Sequence, residues 1–275
     1  MTASATTSSS TRTIDLADGL SVTVSEFGEN TDGQAVLLLH GGAGPRSVAG
    51  LATAMSEHVY TIAPVHPGFD GTPRPEWADS FEDLAWAYLD LLDKLDLNGV
   101  MVIGNSLGGQ IATEMALRDT RGRLGCLVLL NASGPQPDDE GDIVDIRTIP
   151  PLEIGGLSFA NAAFRPDFSK LTDEQRAGQA ANQKTQAVYA GENFVYDPKI
   201  RRRLHRVTLP VLVVWGEEDG IFSARYGRTY AGAFPDGHFV PVPGAGHFPQ
   251  IEQLGATLGA IGNFVDTVVK PDENA

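Results

Sequence analysis

The sequence predicts a doubly wound α/β protein with a mostly parallel sheet, and three observations carry that expectation. Short, β-branched, almost wholly apolar runs recur at 36–40, 59–65, 100–105, 126–131, 210–216 and 238–242. Continuous runs of this kind suit strands covered on both faces, as in a parallel sheet. Segments with helical spacing lie between several of them, and strand–helix–strand order implies right-handed crossovers. The chain is also long enough, at 275 residues, to bury roughly three quarters of the surface its unfolded form exposes.

The elements follow in chain order. Residues 1–12 are rich in Ser, Thr and Ala and lack the apolar segment of a secretory signal, so a floppy tail is expected. The runs 14–16 and 20–27 flank Ala17-Asp18-Gly19 and read as an antiparallel N-terminal hairpin. Over 80–95, Phe81, Leu84, Tyr88, Leu91, Leu92 and Leu95 recur at spacings of three and four behind a capping box, Ser80-x-x-Asp83. Ile251, Leu254, Leu258, Ile261, Phe264, Val265 and Val268 form the same stripe near the C-terminus, before a polar end at 270–275 expected to fray.

One stretch breaks the alternation. Between 132 and 208 no strand-like run occurs; Pro, Gly and Asp cluster, and a polar helical segment follows Thr172-x-x-Gln175. That length exceeds a crossover, so a mainly helical cap insertion is expected over the sheet edge, with 13–131 and 209–270 forming the α/β core.

Composition excludes several function classes. With 20 Lys+Arg against 35 Asp+Glu the formal net charge is −15, which argues against nucleic acid and anionic lipid as main partners. A lone cysteine, Cys126, excludes an internal disulfide framework and a cysteine-based zinc knuckle. No apolar run reaches the length of a bilayer span, and a cytoplasmic location is expected.

The sharpest chemical signal is Gly104-Asn105-Ser106-Leu107-Gly108-Gly109, between an apolar run and a helix-like segment. A serine there, with small residues two before and two after, fits a nucleophile elbow. The hydroxyl then projects over the carboxyl edge of the sheet, at a helix amino end that favours developing negative charge. A serine needs a base to take its proton. Of six histidines, His247 lies in a loop between the last strand and the last helix, on the same edge. His40 is expected to orient the loop after its strand, and His66 to be structural or to line the site. The orienting acid is sought at another strand end: Asp219 follows the run 210–216, with Glu217 and Glu218 as rivals beside it and Asp138 or Asp139 as weaker options. The order Ser106, Asp219, His247 is the nucleophile–acid–base order of one hydrolase architecture.

A fourth signal is Leu39-His40-Gly41-Gly42-Ala43-Gly44-Pro45, directly after a strand. Glycines let backbone N–H groups turn toward an oxyanion, and the expected donors are the amides of Gly42 and Leu107. Gly41, Ala43, Asn105, Trp215 and Phe248 are the further residues expected at the substrate. Phe159, Phe164, Phe168, Tyr189, Phe194 and Trp215 could build an apolar chamber or pack in the core.

These motifs together resemble the α/β-hydrolase fold with a helical cap. The likeness runs from about Thr13 to Val269, through His40-Gly41-Gly42, Pro67-Gly68-Phe69-Asp70-Gly71-Thr72, Gly104-x-Ser106-x-Gly108, Trp215-Gly216-x-x-Asp219 and Gly246-His247. It implies an oxyanion loop, a post-strand loop, a nucleophile, an acid and a base in turn, with no metal and no organic cofactor. Asn105 and the loop His-Gly-Gly-x-Gly-Pro are similar to C–C bond hydrolases of meta-ring-fission products. That branch carries tryptophan where Phe248 stands, and a cap arginine for which Arg165 or one of Arg201, Arg202 and Arg203 would have to serve. A serine at 106 also separates the chain from haloalkane dehalogenases, which carry Asp there.

The expected activity is hydrolysis of an ester or related acyl bond in a small molecule, through Ser106, His247 and Asp219 and an acyl-enzyme. C–C bond hydrolysis is the main alternative. From other classes, a non-catalytic ligand binder or a cofactor-free lyase or oxygenase on the same scaffold stays open.

Overall fold

Residues 9–31, 33–167 and 170–269 are described by a computed structural model. Residues 1–8 of the expected tail, Phe168 and the polar end at 270–275 lie outside the described residues.

The chain starts with β1 (Ser9–Asp15) and β2 (Ser21–Phe27), then β3 (Ala35–Leu39), α1 (Ala49–Met55), β4 (Tyr60–Val65), α2 (Phe81–Lys94), β5 (Val100–Asn105), α3 (Leu107–Arg118) and β6 (Leu124–Leu130). After β6 come β7 (Gly134–Pro135), α4 (Pro151–Ser158), α5 (Asp173–Ala190) and β8 (Tyr196–Asp197). The chain then returns through β9 (Val211–Gly216), α6 (Ala224–Ala231), β10 (Gly237–Val242), α7 (Pro249–Glu252) and α8 (Leu254–Phe264).

Eight strands form one sheet in the order β1-β2-β4-β3-β5-β6-β9-β10. The β1–β2 and β2–β4 pairs are antiparallel, and every pair from β4 to β10 is parallel. The fold class expected from the apolar runs is therefore the one observed. Side chains alternate between two layers: Leu37, Leu39, Val102, Leu127 and Leu129 face α2, α3 and α6, while Val36, Leu38, Ile103, Cys126 and Val128 face α1 and α8. Burial on both sides is why these runs carry no polar alternation. Cys126 is one of these buried apolar positions, and burial pushes its thiol up to about 12.

The first strand corrects the expected tail boundary. β1 begins at Ser9, not after residue 12, and pairs in register from Ser9↔Phe27 to Asp15↔Ser21. It is an exposed edge strand in which Ile14 alone is buried. Polar cross-strand pairs hold it, Thr11 against Ser25, Thr13 against Thr23 and Arg12 against Glu26, so apolar periodicity could not reveal it.

Both expected capping boxes form: Ser80 with Asp83 at the start of α2, and Thr172 with Gln175 at the start of α5. Segment 132–208 lies against the loops at the carboxyl edge of the sheet. Asn182 exchanges two hydrogen bonds with Asp70, at 2.8 and 2.7 Å. Thr185 Oγ1 donates to Gly68 O at 2.9 Å, and Tyr189 hydroxyl donates to Pro67 O at 2.9 Å. These three residues form one row of α5. Among the described residues no helix is long and apolar enough to cross a membrane.

Candidate active site

Because β3 lies between β4 and β5, the chain reverses its winding direction there, and loops at such a switch point open a crevice at the carboxyl edge. The loop after β3, the turn after β5, and the loops after β9 and β10 all reach that edge.

Ser106 occupies the turn between β5 and α3 with φ 55° and ψ −122°, a backbone geometry that costs about 1–3 kcal/mol outside glycine. The surroundings impose it. Ser106 N donates to Leu130 O at 3.0 Å, and Ser106 O accepts from Gly109 N at 2.9 Å and Ser133 N at 3.0 Å. The flanking glycines are required by space: a Cβ on Gly104 would lie 2.3 Å from Gly108 O, and one on Gly108 would lie 2.4 Å from Leu39 O. Leu107 opens α3, so its N–H belongs to a first turn whose donors lack helical partners. Its side chain is buried in the core.

His247 follows β10 in a loop tied from several sides. Its N–H donates to Ser158 O at 2.8 Å, and its carbonyl accepts from Asn105 Nδ2 at 3.2 Å. Glu252 braces the preceding residue, accepting from Gly246 N at 2.7 Å, and also accepts from Asn161 N at 2.8 Å. The imidazole stands edge-on to Phe222 and Phe248, and the residue is 4% exposed. Nδ1 meets Asp219 Oδ2 at 2.8 Å. A carboxylate only accepts, so that hydrogen bond puts the imidazole proton on Nδ1 and leaves Nε2 as the acceptor.

Asp219 is held by three further donors. Asn131 Nδ2 reaches Oδ2 at 2.7 Å, while Ile221 N and Phe222 N reach Oδ1 at 2.8 and 3.1 Å. Of the acidic alternatives, Glu217 and Glu218 are exposed, and Asp138 and Asp139 pair with Arg201 and Arg225. Asp219 alone of the five bonds His247.

Ser106, His247, Gly42, Ala43 and Phe248 line one cavity of about 300 Å³. Its lining also includes Ile146, Ile154, Phe159, Ile221 and Ile251, together with Gln179, Asn182, Gln183 and Gln186 of α5. Neither Ser106 Oγ nor His247 Nε2 has a hydrogen-bond partner among the described residues. Hydrogen bonds of this kind often tighten only when substrate binds.

The loop after β3 is held by a buried relay. Tyr88 hydroxyl bonds His66 Nδ1, His66 Nε2 contacts His40 O at 2.8 Å, His66 N donates to His40 Nε2 at 3.1 Å, and His40 Nδ1 contacts Gly41 O at 2.7 Å. Gly41 O also accepts from Gly44 N at 3.0 Å. Burial lowers the pKa of His40 to about 4 and holds that of His66 well below its ordinary value, so both rings stay neutral. His40 thus orients its loop as expected, and His66 and Tyr88 complete the support.

Three expected substrate contacts are corrected. Trp215 is fully buried: strand alternation turns it toward α6, its Nε1 donates to Phe222 O at 3.2 Å, and Gly227 makes room for its ring. Asn105 is buried below the elbow, where Nδ2 joins Leu130 O at 3.0 Å to the His247 carbonyl. Gly41 backs onto Ser106, whose Cβ would lie 2.9 Å from an added Cβ, and does not line the cavity. Of the aromatic candidates, Phe159 lines the cavity, Tyr189 and Phe194 pack in the core, and Phe164 is exposed. Arg165 donates to Phe159 O, Arg201 pairs with Asp138 and Arg203 lies 3.9 Å from Asp197. No arginine lines the cavity among the described residues.

Glu82, Glu114 and Asp197 form an acidic cluster among the described residues, with spacing that could admit a cation. Arg118 bridges Glu82 and Glu114, and none of the three lines the cavity.

Comparison with known proteins agrees with this architecture. The chain is 24% identical over 261 residues to an uncharacterized protein of Mycobacterium tuberculosis, spanning 86% of this chain and 76% of that one. It is 26% identical over 248 residues to a 2-hydroxy-6-oxo-6-phenylhexa-2,4-dienoate hydrolase of Burkholderia cepacia, spanning 82% and 85%. A crystal structure of a membrane phospholipase A superposes with a TM-score of 0.80 at 20% identity, covering 96% of this chain and 87% of that chain. The profile of the alpha/beta hydrolase family matches residues 36–258. With strand order, elbow and profile in agreement, the chain belongs to the α/β hydrolase family.

Proposed function

We propose that this chain is a serine hydrolase that cleaves ester or related acyl bonds of small molecules. Ser106 Oγ attacks the carbonyl carbon while His247 Nε2 takes the hydroxyl proton. The amides of Gly42 and Leu107 bond the oxyanion that forms. Collapse of the tetrahedral intermediate expels the leaving alcohol, which receives the proton from His247, and leaves Ser106 acylated. Water then repeats the sequence with His247 as base, releasing the acid and restoring the serine hydroxyl. Asp219 fixes the tautomer of His247 throughout and stabilises the imidazolium. The observation that carries this reading is the 2.8 Å hydrogen bond between Asp219 and His247, the latter lining the cavity together with Ser106.

The test is turnover of p-nitrophenyl butyrate. Ser106→Ala or His247→Ala should lower kcat by on the order of 10⁶ if the residues act as one unit. Near-normal turnover by Ser106→Ala would end the reading.

C–C bond hydrolysis is the second reading, favoured by the 26% identity to a dienoate hydrolase. Against it, no Lys or Arg among the described residues lines the cavity to offset a substrate carboxylate. A vinylogous diketone acid assayed beside the ester separates the two.

A further inference from the structure

One polar group beside Ser106 has no part in the proposed reaction. Gln186 lies on α5, and a Cβ added to Gly42 would sit 2.2 Å from its Oε1 and 3.1 Å from its Nε2. Its carboxamide therefore covers Gly42, the residue whose amide is assigned to the oxyanion. Gln186 is half-buried, lines the cavity with Ser106, and has no hydrogen-bond partner among the described residues. Its two donors and its acceptor lie at the cavity surface, where a ligand hydroxyl or carbonyl can take the place of solvent.

The helix is not free to carry Gln186 away. Asn182, Thr185 and Tyr189, on the adjoining row, bind α5 to Asp70, Gly68 and Pro67. The same cavity is lined by apolar Phe159, Ile221 and Phe248 and by further uncharged amides of α5, and carries no Lys, Arg, Asp or Glu among the described residues. A carboxylate held there would be desolvated with no cation to offset it, whereas an uncharged hydroxyl or keto group would find its partner in Gln186.

We propose that Gln186 is a specificity-determining residue, and that the site selects uncharged esters or lactones bearing a hydroxyl or keto oxygen on the first or second carbon beyond the scissile carbonyl. The carboxamide accepts from the hydroxyl or donates to the keto oxygen, and the apolar wall takes the hydrocarbon remainder. This proposal rests on the serine hydrolase reading and adds the substrate class to it.

The test compares ethyl butyrate, ethyl 2-hydroxybutyrate, ethyl 3-hydroxybutyrate and monoethyl succinate, with hydrolysis followed by titration of released acid. One hydrogen bond between uncharged groups corresponds to a preference of about fivefold to tenfold in kcat/KM for the better hydroxy ester over ethyl butyrate. Monoethyl succinate should be the poorest of the four. In Gln186→Leu the hydroxy-to-plain ratio should fall to about one, whatever the variant's overall rate, because both esters meet the same enzyme. An unchanged ratio, or a wild-type preference for ethyl butyrate, overturns the role of Gln186. If turnover persists and is abolished by Ser106→Ala, that failure leaves the hydrolase reading standing. If none of the four is cleaved and a serine-directed phosphonate leaves Ser106 unlabelled, both readings fall together.

Discussion

Asn131 and Asp219 are joined by a 2.7 Å hydrogen bond that links the end of β6 to the acid after β9. Asn131 adopts φ 41° and is fully buried, and its Oδ1 accepts from Gly216 N at 2.9 Å. One side chain therefore fixes both the strand end before Asp219 and the oxygen that faces His247. Asn131 is not among the residues that line the cavity and acts through Asp219, so it is a positioning residue.

Asn131→Leu should remove the donor to Oδ2 and let the carboxylate rotate. A hydrogen bond to a charged group contributes about 1.5–3 kcal/mol, so kcat should fall roughly 10- to 100-fold with KM little changed. Asn131→Gly, lacking the donor but fitting the positive φ, should show the same kcat loss. Parent-like kcat in both variants would remove Asn131 from the account.

The buried pair His40 and His66 makes stability depend on pH. Burial depresses both folded-state values, that of His40 to about 4, so both rings fold neutral. As pH falls below about 6.5, the unfolded chain takes up protons that the folded one refuses, and stability declines. For His40 the loss reaches about 3 kcal/mol near pH 4. Urea midpoints at pH 7.0 and 4.5 check this. His40→Gln should narrow the difference between the two, and an unchanged difference would contradict the relay as described.

Gly108→Ala should disrupt the elbow, because its Cβ would lie 2.4 Å from Leu39 O and 2.7 Å from His40 O, both backbone atoms. Neither can yield without moving the loop after β3. Overpacking of this kind costs about 1–3 kcal/mol. The variant should unfold at lower urea concentration and lose turnover. Gly50→Ala, where an added Cβ meets nothing, should do neither. Equal stability and turnover in Gly108→Ala and the parent would show that the turn tolerates a side chain.

The parts of the site readable from sequence are those with local signatures. The apolar runs followed by glycine mark where strands end, and those ends bring Ser106, Asp219 and His247 to one edge. Trp215 and Asn105 are buried away from the cavity because adjacency to a motif does not fix which way a side chain points. Strand alternation sends Trp215 into the α6 layer, and the sharp turn at Ser106 leaves Asn105 beneath the elbow. Asn131, Glu252 and Gln186 left no local mark, since each acts through a partner distant in the chain: Asp219, Gly246 with Asn161, and Gly42. Asn131 had one available sign, an Asn closing a strand, a residue type that tolerates positive φ. β1 was half-hidden because polar pairs rather than apolar burial hold it.

If His247 makes Ser106 nucleophilic, a fluorophosphonate should label the protein stoichiometrically. Mass spectrometry of the digested protein should find one adduct, on the peptide carrying Ser106, forming in step with the loss of esterase turnover. His247→Ala should slow that labelling by several orders of magnitude, and Ser106→Ala should abolish it. Inhibition without an adduct at Ser106, or labelling equally fast in His247→Ala, would mean that His247 does not activate Ser106.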